Sequence, residues 1–129
     1  MTNDDQSIQL LVALNKLTSL GTVSWTVNEP PRRLVAGTDV VIPLYLEAIH
    51  QGVKYALYQV RIRRYDGDRD QFYWDESVIL AVLDGEDRVL FEVSRQYSAL
   101  IDLFSTARSK LVSLDRLLKT LGIDGTPGN

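Results

Sequence analysis

Residues 53–83, VKYALYQVRIRRYDGDRDQFYWDESVILAVL, decide the fold. Val53–Tyr65 alternates, with Ala56, Tyr58, Val60 and Ile62 on one face, as in a strand whose successive side chains point to opposite sides. Asp66–Asp75 reads as a polar connection. Ser77–Leu83 then pairs with Arg88–Val93 as a second hairpin around Asp84-Gly85-Glu86-Asp87, a strong turn signal. Upstream, Val40–His50 is extended, with Val40, Ile42, Leu44, Leu46 and Ala48 on one face, and Gln51–Gly52 turns it straight into the next strand. Pro43 removes a ladder donor and marks an edge or a bulge. Thr22–Val27 is a further strand, in which Val23, Trp25 and Val27 alternate with polar residues. Asn28–Gly37, with Pro30–Pro31, is a loop. Connections this short make the strands antiparallel.

Outside the strands lie two helical stretches. Ile8–Leu20 is capped by Asp4 or Asp5 and stopped by Gly21. Its apolar residues run nearly all round, with Leu10, Leu14 and Leu17 opposite Ile8, Leu11 and Val12, so it is buried on more than one side. Ser98–Leu121 keeps Leu100, Phe104, Ala107, Leu111, Leu114, Leu118 and Leu121 within about 100° of arc, the pattern of a helix lying on a sheet. Gly122 ends it. The expectation is a single α+β domain over 1–121, with a five-stranded, meander-like antiparallel sheet flanked by an N-terminal and a long C-terminal helix. Residues 122–129 are expected to form a flexible tail.

Length and composition narrow the function classes. The 129 residues are 45% hydrophobic and 24% charged, as in an ordinary globular domain. There is no cysteine, which removes disulfide scaffolds and thiolate chemistry, and a single histidine, which limits imidazole chemistry. A net charge of −3 argues against general nucleic-acid binding. The opening MTNDDQSIQL lacks the basic region and apolar run of a secretory signal, and no apolar run approaches the roughly 20 residues of a bilayer span, so no membrane is involved and a cytoplasmic protein is expected. The glycines form no phosphate-binding loop, and no cofactor is indicated.

The remaining candidates are few. Asp66, Asp68 and Asp70 alternate as in a calcium loop, but Gln71 and Ser77 stand where that loop needs Gly and Glu, and Arg69 sits inside it, so they are weak metal candidates. His50 stands at a strand end, where a structural role is expected. Arg61, Arg63 and Arg64 form a basic cluster near Tyr55, Tyr58 and Tyr65. Phe72, Tyr73 and Trp74 cannot all face one way in a strand, so at least one is exposed or clamps a partner. The sheet has apolar residues on its second face as well: Val41, Tyr45, Ile49, Tyr55, Leu57, Ile79, Ala81 and Leu83, mixed with Glu47, Gln59, Arg61 and Arg63. One helix on each face, a homodimer or partner interface, or a ligand groove is expected to cover such a face.

With no convergent catalytic set, the expected function is a non-catalytic protein–protein interaction module, a small regulator, adaptor or immunity-type inhibitor. It would bind a protein partner or itself, as a homodimer or higher homo-oligomer, through Tyr45, Tyr55, Leu57, Arg61, Arg63 and Trp74. The alternative is a small-molecule or nucleotide-binding domain using the Arg61/Arg63 sheet face.

Overall fold

Residues 53–83 fold as one long hairpin, which forms the centre of the sheet. The computed structural model describes residues 3–122. Its elements are α1 (Asn3–Ser19), β1 (Thr26–Val27), α2 (Arg32–Val35), β2 (Val40–His50), β3 (Val53–Asp66), β4 (Gln71–Leu83), β5 (Val89–Val93), α3 (Ser98–Lys110) and α4 (Leu114–Thr120). The strands form one antiparallel sheet in the order β1-β2-β3-β4-β5, so the α+β class and the meander are as expected. Residues 123–129 of the expected tail lie outside the described residues.

The β3–β4 ladder runs without a break from Lys54↔Leu83 to Asp66↔Gln71. Both strands are therefore longer than their hydrophobic alternation suggests, and most of the polar stretch 66–75 is strand. Cross-strand charge pairs take over where apolar pairs stop: Arg61 Nε lies 2.5 Å from Glu76 Oε1, and Arg64 Nε 2.7 Å from Asp75 Oδ2. β2 turns into β3 through Gln51 and Gly52, both at positive φ (50° and 78°), the geometry of a two-residue type I′ hairpin.

Both long helices cover the same face of the sheet. Leu11 and Leu14 of α1 and Leu100, Leu103, Phe104 and Ala107 of α3 form one core with Leu46, Leu57, Val78, Leu80 and Val93. The buried stripe of α1 is Ser7, Leu11, Leu14 and Thr18, so two of its four positions are polar, and the burial expected on a second side is not found: Ile8 and Val12 are exposed. Thr18 is there for a reason: its hydroxyl accepts the indole N–H of buried Trp25 at 2.9 Å. Gly21, at φ 80°, closes the helix, with Gly21 N donating to Thr18 O and Thr22 N to Leu17 O at 3.1 and 2.9 Å. The chain then runs through Val23 and Trp25, both buried, but pairs as a strand only at Thr26 and Val27. Asp4 does not cap α1. It lies in the first turn and takes bonds from Tyr97 Oη (2.5 Å) and Arg95 Nη1 (3.2 Å), tying the start of α1 to the start of α3.

Two further expectations are corrected. The C-terminal helix is two helices. Ser113 is extended (φ −97°, ψ 113°) and its hydroxyl accepts from Arg116 N at 3.3 Å, so a new N-cap interrupts the apolar stripe. The face assignment within β2 also fails at Pro43. The register slips between Val41 and Leu44, so Val40 and Ile42 leave the helix-covered face that Leu44, Leu46 and Ala48 keep.

At the end of β5, a side chain continues the sheet. Val78 N donates to Gln96 Oε1 and Gln96 Nε2 donates to Val78 O, both at 2.8 Å, so the Gln96 amide replaces the missing strand residue.

The Trp25–Thr18 bond gives a clear stability test. Thr18→Val keeps the shape but leaves the indole N–H buried without a partner, which costs about 1–3 kcal/mol. Thr18→Ser keeps the acceptor and loses one methyl, about 1 kcal/mol. Urea unfolding is expected to rank the variants wild type, Ser, Val. A Val variant as stable as wild type would show that the bond contributes nothing.

Candidate functional site

The register divides the residues first grouped on one second face. Leu46↔Leu57 and Leu57↔Leu80 lie under the helices. The odd positions of β3 and the even positions of β4 therefore share the helix-covered side, including Tyr55, Leu57, Gln59, Arg61, Arg63, Tyr65, Phe72, Trp74 and Glu76. Val41, opposite Arg61, joins them. Tyr45, paired with Tyr58, lies on the other side with Ile79, Ala81 and Leu83.

That other side is covered largely by the chain itself. Tyr45, Ala56, Tyr58, Val60, Ala81 and Leu83 form a second buried cluster, with Leu34 of α2 and Val40, Ile42, Ile62 and Ile79 packed against it. The segment read as a plain loop supplies Leu34, and Arg33 beside it acts electrostatically on both tyrosines. The rings of Tyr45 and Tyr58 lie 5.2 Å apart. Burial, aided by Glu47, pushes the Tyr45 phenol up to about 12. Burial, aided by Glu92 and Tyr45, does the same for Tyr58. Arg33 opposes both shifts. Lys54 closes the rim, 2.6 Å from Asp87 and 3.4 Å from Glu47.

Of the six partner-contact candidates, Leu57 is fully buried in the main core and Tyr45 is 2% exposed in the second cluster. Tyr55 is half-buried against the main core. Arg61, Arg63 and Trp74 come together on an exposed surface. From Arg63↔Trp74 to Asp66↔Gln71 the hairpin is an arm whose residues, Asp66 apart, are exposed whichever face they occupy. One face carries a continuous row. The Arg63 guanidinium sits 4.1 Å over the Phe72 ring, Trp74 is opposite Arg63, and the Tyr65 and Phe72 rings are 5.2 Å apart. Tyr65, Phe72 and Trp74 are 53%, 60% and 53% exposed. Tyr73 points to the other face, as the alternation requires. At its root the row leads into a cleft of about 360 Å³ between the sheet and α3, lined by Gln59, Glu76, Ile101, Phe104 and Arg108. Sequence reasoning missed Tyr65, Ile101 and Arg108 as members of this surface. Continuing the alternation of β3 and β4 through the polar stretch would have found Tyr65, whereas the α3 residues needed the tertiary packing.

The remaining candidates are the acidic tip of the hairpin and His50. At the tip, Asp66 Oδ1 accepts from Asp68 N at 3.0 Å, Asp70 accepts from the Tyr65 hydroxyl, and Arg69 lies 3.9 Å from Asp66. The carboxylates of Asp66 and Asp70 thus bond within the hairpin end, and among the described residues no three His, Asp or Glu side chains converge. His50 ends β2 beside the type I′ turn, with no hydrogen bond or ion pair of its side chain among the described residues. No helix among the described residues is long and apolar enough to cross a membrane. No family model, curated protein or solved structure matches the chain.

Two measurements follow from this geometry. Tyr45 and Tyr58 hold their protons more tightly in the folded state, so their contribution to stability is complete below pH 10 and lost as pH rises towards about 12. Phenolate absorbance is expected to show two of the six tyrosines titrating near 12 while the protein is folded, and the unfolding free energy to fall over that window. Normal titration of all six would disprove the buried pair. Conversely, Phe72→Ser and Trp74→Ser remove exposed rings and should each change stability by no more than about 1 kcal/mol. A larger loss in urea would make the arm's aromatics structural.

Proposed function

We propose that this protein is a non-catalytic protein–protein interaction module whose contact surface is the helix-side face of the β3–β4 arm. The observation that carries this is the exposed row Tyr65–Phe72–Arg63–Trp74. Exposed rings aligned on one rigid ladder lose little conformational freedom on binding, and Trp, Tyr and Arg are the residues on which interface energy concentrates. Contiguous exposed apolar surface on a small domain commonly marks a contact site. The partner is another protein or a second copy of this chain.

The alternative, an anion or nucleotide site on Arg61 and Arg63, is less well supported. Arg61 is neutralised by Glu76 at 2.5 Å, and Arg63 lies flat on Phe72 in the open. The hollow of about 390 Å³ that Arg63 lines also holds a carboxylate, Asp39, which disfavours an anion there.

A photo-crosslinking residue in place of Phe72, in cells expressing the protein, is expected to give one discrete adduct, with a second copy or with one other protein. The adduct should disappear with Trp74→Ala, while the same probe at Ile49 gives none. Diffuse adducts, or equal yields at both positions, would refute the arm as a docking element. A melting-temperature rise with a nucleotide that vanishes in Arg61→Ala/Arg63→Ala would favour the anion site instead.

A further inference from the structure

The arm and the cleft carry a charge imbalance that specifies the partner's chemistry. The chain as a whole is acidic, with a net charge of −3. The helix-side face of the arm and the hollows beside it nonetheless bring together Arg61, Arg63 and Arg108 against two carboxylates, Glu76 and Asp39. Glu76 is taken by Arg61, with Gln59 Nε2 also donating to it at 3.3 Å. Arg63 and Arg108 lie at the two ends of the surface, both exposed. Neither has a carboxylate partner among the described residues, and each guanidinium is instead laid on a ring, Arg63 on Phe72 at 4.1 Å and Arg108 on Phe104 at 5.3 Å. Most of the arginines on the rest of the hairpin and its flanks are paired: Arg64 with Asp75, Arg69 with Asp66, Arg88 with Asp84 and Arg95 with Asp4.

A guanidinium held over a ring face leaves N–H donors for a carboxylate in two-point contact. Between the two arginines the cleft offers Ile101 and Phe104, and the arm offers Trp74. We infer that the surface docks an acidic segment of a partner protein, in which carboxylates flank an apolar side chain: one carboxylate on Arg63, one on Arg108, and the apolar residue in the cleft. This rests on the arm being a docking element and adds the partner's charge pattern. A nucleic-acid strand fits less well. It needs a row of cations, whereas here two isolated ones are separated by a neutral Arg61–Glu76 pair.

The test is selection of a random phage-displayed peptide library on the full chain. Recovered peptides are then measured by fluorescence anisotropy against wild type, Trp74→Ala and Arg63→Glu/Arg108→Glu, with circular dichroism confirming each fold. The expected peptides are rich in Asp and Glu around a Leu, Ile or Phe. Their affinity should fall at least tenfold in the charge-reversed variant and weaken as salt rises. Peptides that depend on Trp74 but are neutral or basic, and bind the charge-reversed variant unchanged, would overturn the inference while leaving the arm as a docking element. Absence of any Trp74-dependent peptide would remove both. Preferential binding of a poly(dT) oligonucleotide, lost in the charge-reversed variant, would overturn the inference in favour of nucleic acid.

Discussion

The unbroken β3–β4 register is the constraint on which the molecule depends. Because side chains alternate along a strand, placing Leu57 opposite Leu80 under the helices fixes the face of every residue from Lys54 to Leu83. A slip by one residue would put Arg61, Arg63 and Trp74 on the side of the tyrosine cluster and break both. Few devices guard against that slip. The type I′ turn sets β2 against β3, the Asp66–Asp70 turn closes the tip, and Arg61–Glu76 and Arg64–Asp75 pair only in the observed register. Each exposed ion pair is worth no more than about 1 kcal/mol, so their value is chiefly in selecting the register.

An isolated two-stranded hairpin is marginal in water, yet here its outer half stands free. It can do so because its root is the centre of a five-stranded sheet. The loop entropy is already lost where Leu57 and Leu80 are buried, and each further pair adds its ladder at small cost. The arm therefore presents exposed rings with little of the disorder that exposed apolar groups usually bring. The β4–β5 turn is tied down in a similar way. The Asp84 carboxylate accepts from Glu86 N and Arg88 N, both at 2.9 Å, which holds it below the usual carboxylate range.

The class of fold was legible because alternation and helical periodicity are strong where one side of an element is buried. Legibility failed where both sides are apolar or neither is. β3 is apolar in both phases from Tyr55 to Val60, so the choice of which phase meets the helices was open, and Leu57 was placed on a binding face although it is core. Residues 71–76 have no buried side, so their strand was invisible. The buried stripe of α1 was hidden because Ser7 and Thr18 occupy it, and Thr18 is polar only to receive Trp25. The break before α4 rests on one serine hydroxyl in an otherwise continuous apolar pattern. At the arm, Arg61, Arg63 and Trp74 could be picked out as chemically unusual, but their common face followed only from the register.

Several other exposed apolar groups compete with the arm as contact surfaces, and physical differences separate them. β5 is an edge strand with Val89, Leu90 and Phe91 exposed, the usual template for strand addition. Its ladder skips a residue, however, with Val82 opposite Phe91 and Leu83 opposite Val89. The extra residue, Leu90, makes a bulge, which twists the edge and interrupts the row of groups another strand would need. The outer stripe of α1, Ile8, Val12 and Leu20, is interrupted by Lys16 and consists of aliphatic groups with no oriented polar contact to confer specificity. Among the described residues the arm combines exposed rings, a guanidinium held over one of them and an adjoining cleft on one unbroken ladder. Part of the apolar surface of this chain is thus consumed inside it, in a second small core that Leu34 packs against, and the exposed rings of the arm stand where the backbone is held in the β3–β4 ladder.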